Sequence, residues 1–294
     1  MPKSKPAARL QTETQSFKDS ESRGYFVVKQ NDIIQKSKFR ISKNDGESLT
    51  LQEQKILLFV ISRIKPDDTE LKEQIFDIAE FCRVCGIQAS GKNYTNLKDA
   101  ILRLRKRTMW LSCSEYDTTV SWIDKAYIYP KSGKIKIRLD EDLKPYLIML
   151  RQNYTIYPLH SIIKMKTKYG IMLYELLKSY LYLGMFIEFP IIELKESLDC
   201  SNYDSFTNFK KRVIEPAVND INTYSELKIE MEYKKEGRSF SAVVFHITDL
   251  SKSKKPEEQE EASRRFHRVE NEIFKEEFFD ISEPGGKENG STKQ

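Results

Sequence analysis

Between residues 205 and 215 the side chains Ser205, Asn208, Lys211, Arg212 and Glu215 recur three and four positions apart, which sets them on one strip of a helix. Their functional groups are those that read base edges. An asparagine amide makes a bidentate contact to adenine, lysine or arginine to guanine, a serine hydroxyl to either, and a carboxylate accepts from cytosine. Farther along, Lys234, Lys235 and Arg238 surround Gly237, a group of cations suited to phosphate oxygens, and Lys210 adds an ammonium beside the strip.

Such groups need a rigid support, and the local pattern supplies one. Asp204 or Ser205 can cap the free amides of a first helical turn, and Phe206, Phe209, Val213, Ala217 and Ile221 line the opposite face. Pro216 has no amide hydrogen and its ring crowds the Arg212 carbonyl, which predicts a kink and leaves base reading to the first half of the helix. Leu227, Ile229, Met231 and Tyr233 then alternate with polar residues as in a strand, and Phe240 to Ile247 returns. The connection Lys234 to Ser239 turns at Gly237. This order is a helix-turn-helix with a wing. A solvated helix and an ordinary hairpin would show the same pattern, so the pattern by itself leaves both readings open.

Other chemistries find no complete set of residues. Gly86 to Lys92 has the glycine spacing and lysine of a phosphate loop, but Asn93 stands where a metal-binding Ser or Thr is needed, and the run follows a helix rather than a strand. Cys82 and Cys85 have zinc-ligand spacing without a second pair, since Cys113 and Cys200 are isolated. The three histidines, His160, His246 and His267, are too far apart for a local metal site, which weighs against a nickase built on a tyrosine and two histidines. No nucleophile elbow is present. The expectation is a non-enzymatic protein with no cofactor and no metal.

The chain has 294 residues, enough for two domains, and no apolar run of membrane-spanning length. Four irregular cysteines and a polar N-terminus point to a reducing, cytoplasmic setting. Residues 1–24 and 251–294 are polar and poor in apolar anchors and are expected to be disordered tails, the second with a short amphipathic segment from Phe266 to Phe279. Residues 25–150 carry 22 basic against 17 acidic side chains, whereas residues 151–250 carry 13 of each. A domain over 151–250 that binds a polyanion must therefore place its cations locally.

The first half reads like the second. Thr50 and Glu53 form a capping box before Ile56 to Ile61, with Pro66 expected to end that helix; Ala79 to Cys85 is a short helix stopped by Gly86. A third helix, Thr95 to Arg107, buries Leu97, Ala100, Ile101 and Leu104 and carries Arg103, Arg105, Lys106 and Arg107, a surface suited to a phosphate backbone. Strands are expected at Met109 to Cys113, Val120 to Tyr129 and Lys134 to Leu139. In the second half, Tyr169 to Leu183 and Glu193 to Leu198 precede the Phe206 helix. Superposing Asn93-Tyr94 on Asn202-Tyr203 matches Leu97, Ala100 and Leu104 with Phe206, Phe209 and Val213. The offset of about 110 residues indicates a duplicated domain, because solenoid units span only ~20–50 residues. The expected class is α+β: two tandem winged-helix domains, over 25–150 and 151–250.

Several of these segments, in order, carry a resemblance. Asn31 to Ile34 followed by Leu49-Thr50-Leu51-Gln52-Glu53-Gln54-Lys55, then Tyr169 to Leu177, Phe209 to Asn222 and the hairpin Tyr233 to Ile247, are similar to the replication initiators of iteron-type plasmids across about residues 25–250. One position departs: the family commonly has Arg before Leu-Tyr-Glu, and this chain has Met172, leaving that contact to a neighbour such as Lys168 or missing. The resemblance implies binding of duplex DNA at origin repeats, with the second domain reading sequence and the first adding contacts or forming a homodimer. It implies repression of the chain's own promoter, origin opening and recruitment of host initiator or helicase machinery, with no membrane partner. A connection near Asn153 to Pro158 is expected to let the domains reorient. A winged-helix transcriptional repressor is the alternative.

Overall fold

A computed structural model describes residues 26–35, 39–41, 48–65, 68–87, 90–112, 116–150, 153–253 and 255–274. Residues 1–24, Pro66, Cys113 and the segment beyond Phe274 lie outside these ranges, so what was expected of them is not addressed.

The chain opens with strand β1 (Phe26–Gln30), helix α1 (Asn31–Ile34) and strand β2 (Phe39–Ile41). Helix α2 (Leu51–Ile61) follows, and its capping box is complete. The Glu53 amide donates to Thr50 Oγ1 at 3.3 Å and the Thr50 amide to a Glu53 oxygen at 2.9 Å. All six residues from Ile56 to Ile61 are buried, so α2 is a central helix enclosed on every side rather than an amphipathic one. It ends at Ile61, well before Pro66, where the Ser62 hydroxyl takes the Phe59 carbonyl.

Strand β3 (Gln74–Asp77) leads into α3 (Ile78–Cys85), which Gly86 terminates in the left-handed conformation, φ +62°. Helix α4 (Gly91–Lys106) starts earlier than its apolar face indicates because Ser90 caps it, and Leu97, Ala100, Ile101 and Leu104 are all buried. Strand β4 (Thr108–Ser112) follows. The long strand expected from Val120 to Tyr129 is broken at Trp122 into β5 (Asp117–Ser121), which pairs with β4, and β6 (Ile123–Tyr129), which pairs with β7 (Lys134–Leu139). Asp140 accepts from both the amide and the hydroxyl of Ser121, fixing the chain where it changes sheets.

A 3-10 turn and α5 (Lys144–Leu147) lead to β8 (Tyr154–Pro158), short α6 (His160–Ile163), α7 (Lys168–Tyr180), β9 (Phe186–Pro190) and α8 (Ile191–Ser197). Strand β9 was not foreseen. The duplication is plainest in the sheets: β3 pairs with β7 of the β6–β7 hairpin as β9 pairs with the returning strand of the second hairpin, both antiparallel. In each half the strand entering the second helix thus completes a three-stranded wing sheet.

The halves are joined more closely than a flexible connection implies. Residues 154–158, where a hinge was expected, form β8 and pair over their whole length with β1, so the first strand of the chain lies on the second half. Lys29 on β1 donates to Glu175 on α7 at 2.6 Å, both largely buried, and the Tyr157 hydroxyl donates to the same oxygen. Beside this pair a cavity of ≈ 90 Å³ separates Gln54, Leu57 and Trp122 of the first half from Ile171, Met172 and Glu175 of the second. Met172 therefore faces the junction, where its sulfur accepts from the Ser48 hydroxyl at 4.0 Å. Lys168 does not replace it there; its ammonium sits 4.9 Å from the Tyr169 ring centre.

After residue 250, where a disordered tail with one short amphipathic segment was expected, the described residues hold a longer helix. A 19-residue helix runs from Pro256 to Phe274 and packs across both halves, against α3, α6 and the end of the recognition helix described below. Arg265 donates to the carbonyls of Ser225 at 3.1 Å and Leu227 at 3.2 Å, and Arg268 donates to that of Thr223. Low apolar content hid this element. Its Glu, Gln and Arg residues are good helix formers, and its arginines bind carbonyls left free where another helix ends.

Candidate nucleic-acid interface

The recognition helix of the second half is built from α9 (Phe206–Phe209), a π turn over Lys210–Ile214 and α10 (Glu215–Tyr224), the last of which the C-terminal helix α11 (Pro256–Phe274) covers at its end. Pro216 explains the π turn. An unbroken α-helix would need its missing amide to bond the Arg212 carbonyl; instead the Glu215 amide reaches back five residues to Lys210. The expected kink is thus a widened turn, which buries Val213 and Ile214 together while Lys211 and Arg212 project outward.

Ser205 has the backbone conformation of a cap but its hydroxyl makes no capping bond, contrary to the expectation that Asp204 or Ser205 would close the first turn. Ser205, Asn208, Lys211 and Arg212 are all exposed and hold no hydrogen bond or ion pair among the described residues. The structure brings these four onto one solvent-facing strip. Lys210 is different: half-buried, it lies 4.5 Å from the Tyr233 ring centre and 3.7 Å from Glu215.

The wing is longer than the sequence indicates. Strands β10 (Leu227–Glu236) and β11 (Ser239–Asp249) pair to the end of a two-residue turn, Gly237-Arg238, with Gly237 at φ +62°. A glycine at the first position of a two-residue hairpin turn matches the twist of its strands. Only Arg238 is therefore at the tip. A bulge between Lys234 and Lys235 puts these two in different settings: Lys234 pairs with Glu188 of β9 at 2.5 Å, and Lys235 lies 4.8 Å from the Phe240 ring centre.

Three aromatic rings, which sequence patterning treated only as core or strand residues, join helix and wing. Phe206 stacks on Phe240 at 4.3 Å and meets Tyr233 edge-on at 5.5 Å. Burial pushes the Tyr233 phenol up to about 12, with Glu215 adding to the effect, so the ring stays neutral beside Lys210. Beneath the helix, Asp220 is buried and accepts from the amides of Lys166 and Thr167 and from the Thr167 hydroxyl, tying α10 to the start of α7. No spacing rule finds these pairs, because their members are 27 to 54 residues apart.

In the first half the expected phosphate contacts divide. Arg103 and Arg107 converge on Glu53, which is fully buried, at 2.7 and 3.2 Å; Arg107 is largely enclosed there, whereas the Arg103 side chain stays 48% exposed. Arg105 donates to the Asp124 carbonyl at 2.9 Å and is otherwise exposed. Among the described residues Lys106 is exposed without a partner, as are Lys131 and Lys134 at the β6–β7 turn, two cations not singled out from the sequence.

Among the described residues there is no group of three metal-ligating side chains and no helix long and apolar enough to cross a membrane. Cys82, Cys85 and Cys200 are buried and form no disulfide among the described residues.

Comparison with known proteins agrees with this architecture. The chain is 25% identical over 226 residues to a replication initiation protein of Escherichia coli, covering 73% of this chain and 69% of that protein. Its fold is similar to that of the Pi initiator protein, solved in complex with iteron DNA, with TM-score 0.63 and 16% identity over 77% of this chain and 98% of that one. Residues 26–178 match the family described as initiator replication protein, WH1, and residues 190–247 match the initiator Rep protein, WH2. With two winged-helix units in that order covering most of its length, the chain belongs to the replication initiator family.

Proposed function

We propose that this protein initiates replication of a plasmid in the cytoplasm by binding repeated sequences of its origin as duplex DNA, without hydrolysing any substrate. The observation that carries this reading is the strip Ser205, Asn208, Lys211 and Arg212, exposed and unpartnered on a helix whose start is locked to the wing by Phe206 and Phe240. Unspent donors on a rigid helix are what base reading requires. The first winged helix adds backbone contacts through Arg105, Lys106 and the β6–β7 turn. Origin opening, recruitment of host replication proteins and repression of the chain's own promoter by a homodimer complete the proposal. The deciding experiment is origin dependence: a plasmid carrying the repeats beside the gene should replicate only when this protein is supplied. A repressor would protect the same DNA from nuclease and support no replication.

Arg212→Ala should weaken binding to the repeat by ~1–3 kcal/mol and relax preference at one base position. Equal losses on repeat and random duplex would remove Arg212 from base reading. In the wing, Lys235→Gln and Arg238→Gln should each lower the magnitude of the salt slope by ~0.9 and leave sequence preference intact. Lys234→Gln should change it less, because Glu188 already neutralises that ammonium. An unchanged slope in the Lys235/Arg238 double variant would take the wing off the DNA.

A further inference from the structure

Three lysines gather where the two halves of the chain meet. Lys55 stands half-buried on α2, and Lys164 and Lys166 come from the loop that leads into α7, the helix that packs on α10. Lys164 lies directly over the turn that ends α3: a Cβ on Gly86 would sit 2.7 Å from its Nζ. Gly86 thus serves both the left-handed backbone and the close approach of an ammonium from the other half of the chain. Burial holds the Lys55 ammonium below the usual lysine range; Cys85 and Asp220 work against that, and the charges of Lys164 and Lys166 add to it.

Among the described residues no carboxylate pairs with these lysines. From Leu143 to Tyr174 the sequence contains no Asp or Glu. None of the three lysines holds an ion pair among the described residues. Asp220, the carboxylate nearest the loop, is engaged by two amides at 3.1 and 2.7 Å and a hydroxyl at 2.7 Å. Glu175 is paired with Lys29. Like charges held close together cost stability, and a polyanion approaching them reverses that cost.

We propose that Lys55, Lys164 and Lys166 form a phosphate-binding seam, between α2 and the loop before α7, that takes the backbone of duplex DNA when one chain engages a repeat with both domains. The proposal rests on the DNA-binding reading above. Because Asp220 ties the loop to α10, the seam holds a phosphate at a fixed offset from the base-reading strip. It makes the salt dependence of binding a property of the two assembled halves of the chain.

The test uses the full chain and a repeat duplex. Lys164→Gln/Lys166→Gln should lower the magnitude of the salt slope by ~2, about 0.9 per lysine, with sequence preference unchanged. The same variant, and Lys55→Gln, should melt at a higher temperature than wild type when free, since each removes unpaired positive charge. Stability rising while DNA binding falls is a combination that a structural role cannot produce. An unchanged slope, or a lower melting temperature together with a proportional loss of binding to all sequences, overturns the seam. Inorganic pyrophosphate is the second arm. If it stabilises wild type but not the double variant while the DNA slope is unaltered, the seam serves a small phosphate and the DNA assignment falls. Wild type that binds no repeat duplex at all would instead overturn the DNA-binding reading, and this proposal with it.

Discussion

Lys178→Met should cost the fold about 3–5 kcal/mol, the range for removing one member of a buried ion pair. Lys178 is enclosed in the second domain, where it donates to Glu226 and lies 3.9 Å from Asp249, and the Tyr174 hydroxyl donates to the same Glu226 oxygen at 2.8 Å. Burial alone would raise the Glu226 carboxyl. The Lys178 charge, its hydrogen bond and that of Tyr174 outweigh burial and hold the group at about 2, below its ordinary 4.5. For Lys178, burial works against the ammonium, yet Glu226 and Asp249 raise it above 10.5. The pH dependence follows in sign. A depressed carboxyl contributes stability that is present above 4.5 and lost as pH falls toward about 2, and a raised ammonium contributes stability lost only as pH climbs beyond 10.5. Urea unfolding across that acid window should show a steep loss in wild type and a shallow one in Lys178→Met. Parallel profiles for the two proteins would remove the pair as the source. Function should follow stability, because Glu226 closes the segment between α10 and β10 and so sets where the wing begins.

The second large effect concerns Glu53. Its carboxylate is fully buried, caps α2 through Thr50 and receives both Arg103 and Arg107. Burial opposes its charge, but the Thr50 amide and the two guanidiniums prevail and keep it below the ordinary carboxylate range. Glu53→Ala should cost about 3–5 kcal/mol, because a helix cap is lost and two arginines lose their counter-charge. Arg107→Ala should destabilise comparably, leaving the salt slope of DNA binding where it was. Lys106→Gln should do the reverse, with unchanged melting and a slope lower by ~0.9. If Arg107→Ala melts like wild type and loses slope, Arg107 is a DNA contact and its pairing with Glu53 is incidental.

The lesson for reading such chains lies in these arginines. Arg103, Arg105, Lys106 and Arg107 look alike in sequence, four cations on one helix end. Packing separates them, since α2 places Glu53 under two of the four and leaves Lys106 to solvent. The same holds for the three wing cations, which a bulge and a two-residue turn distribute among an ion pair, an aromatic face and open solvent.

Features governed by bonds a few residues long were determined by the sequence alone. The Thr50–Glu53 capping box, the Gly86 stop, the buried faces of α4 and the recognition helix, and the strand alternation of β10 all arise from hydrogen bonds and side-chain spacing within one or two turns. The exposed strip of Ser205, Asn208, Lys211 and Arg212 belongs with them, because opposing an apolar face is a local property. Tertiary structure alone decided the pairing of β1 with β8 where a hinge was expected, the aromatic joint between Phe206 and the wing, the pairing of Arg103 and Arg107 with the buried Glu53, the docking of α11, and the approach of Lys164 to the Gly86 turn. Each joins residues far apart in sequence, and a charge or ring carries no local sign of its partner. Which surface it meets is set only when whole helices and sheets bury their apolar faces against one another.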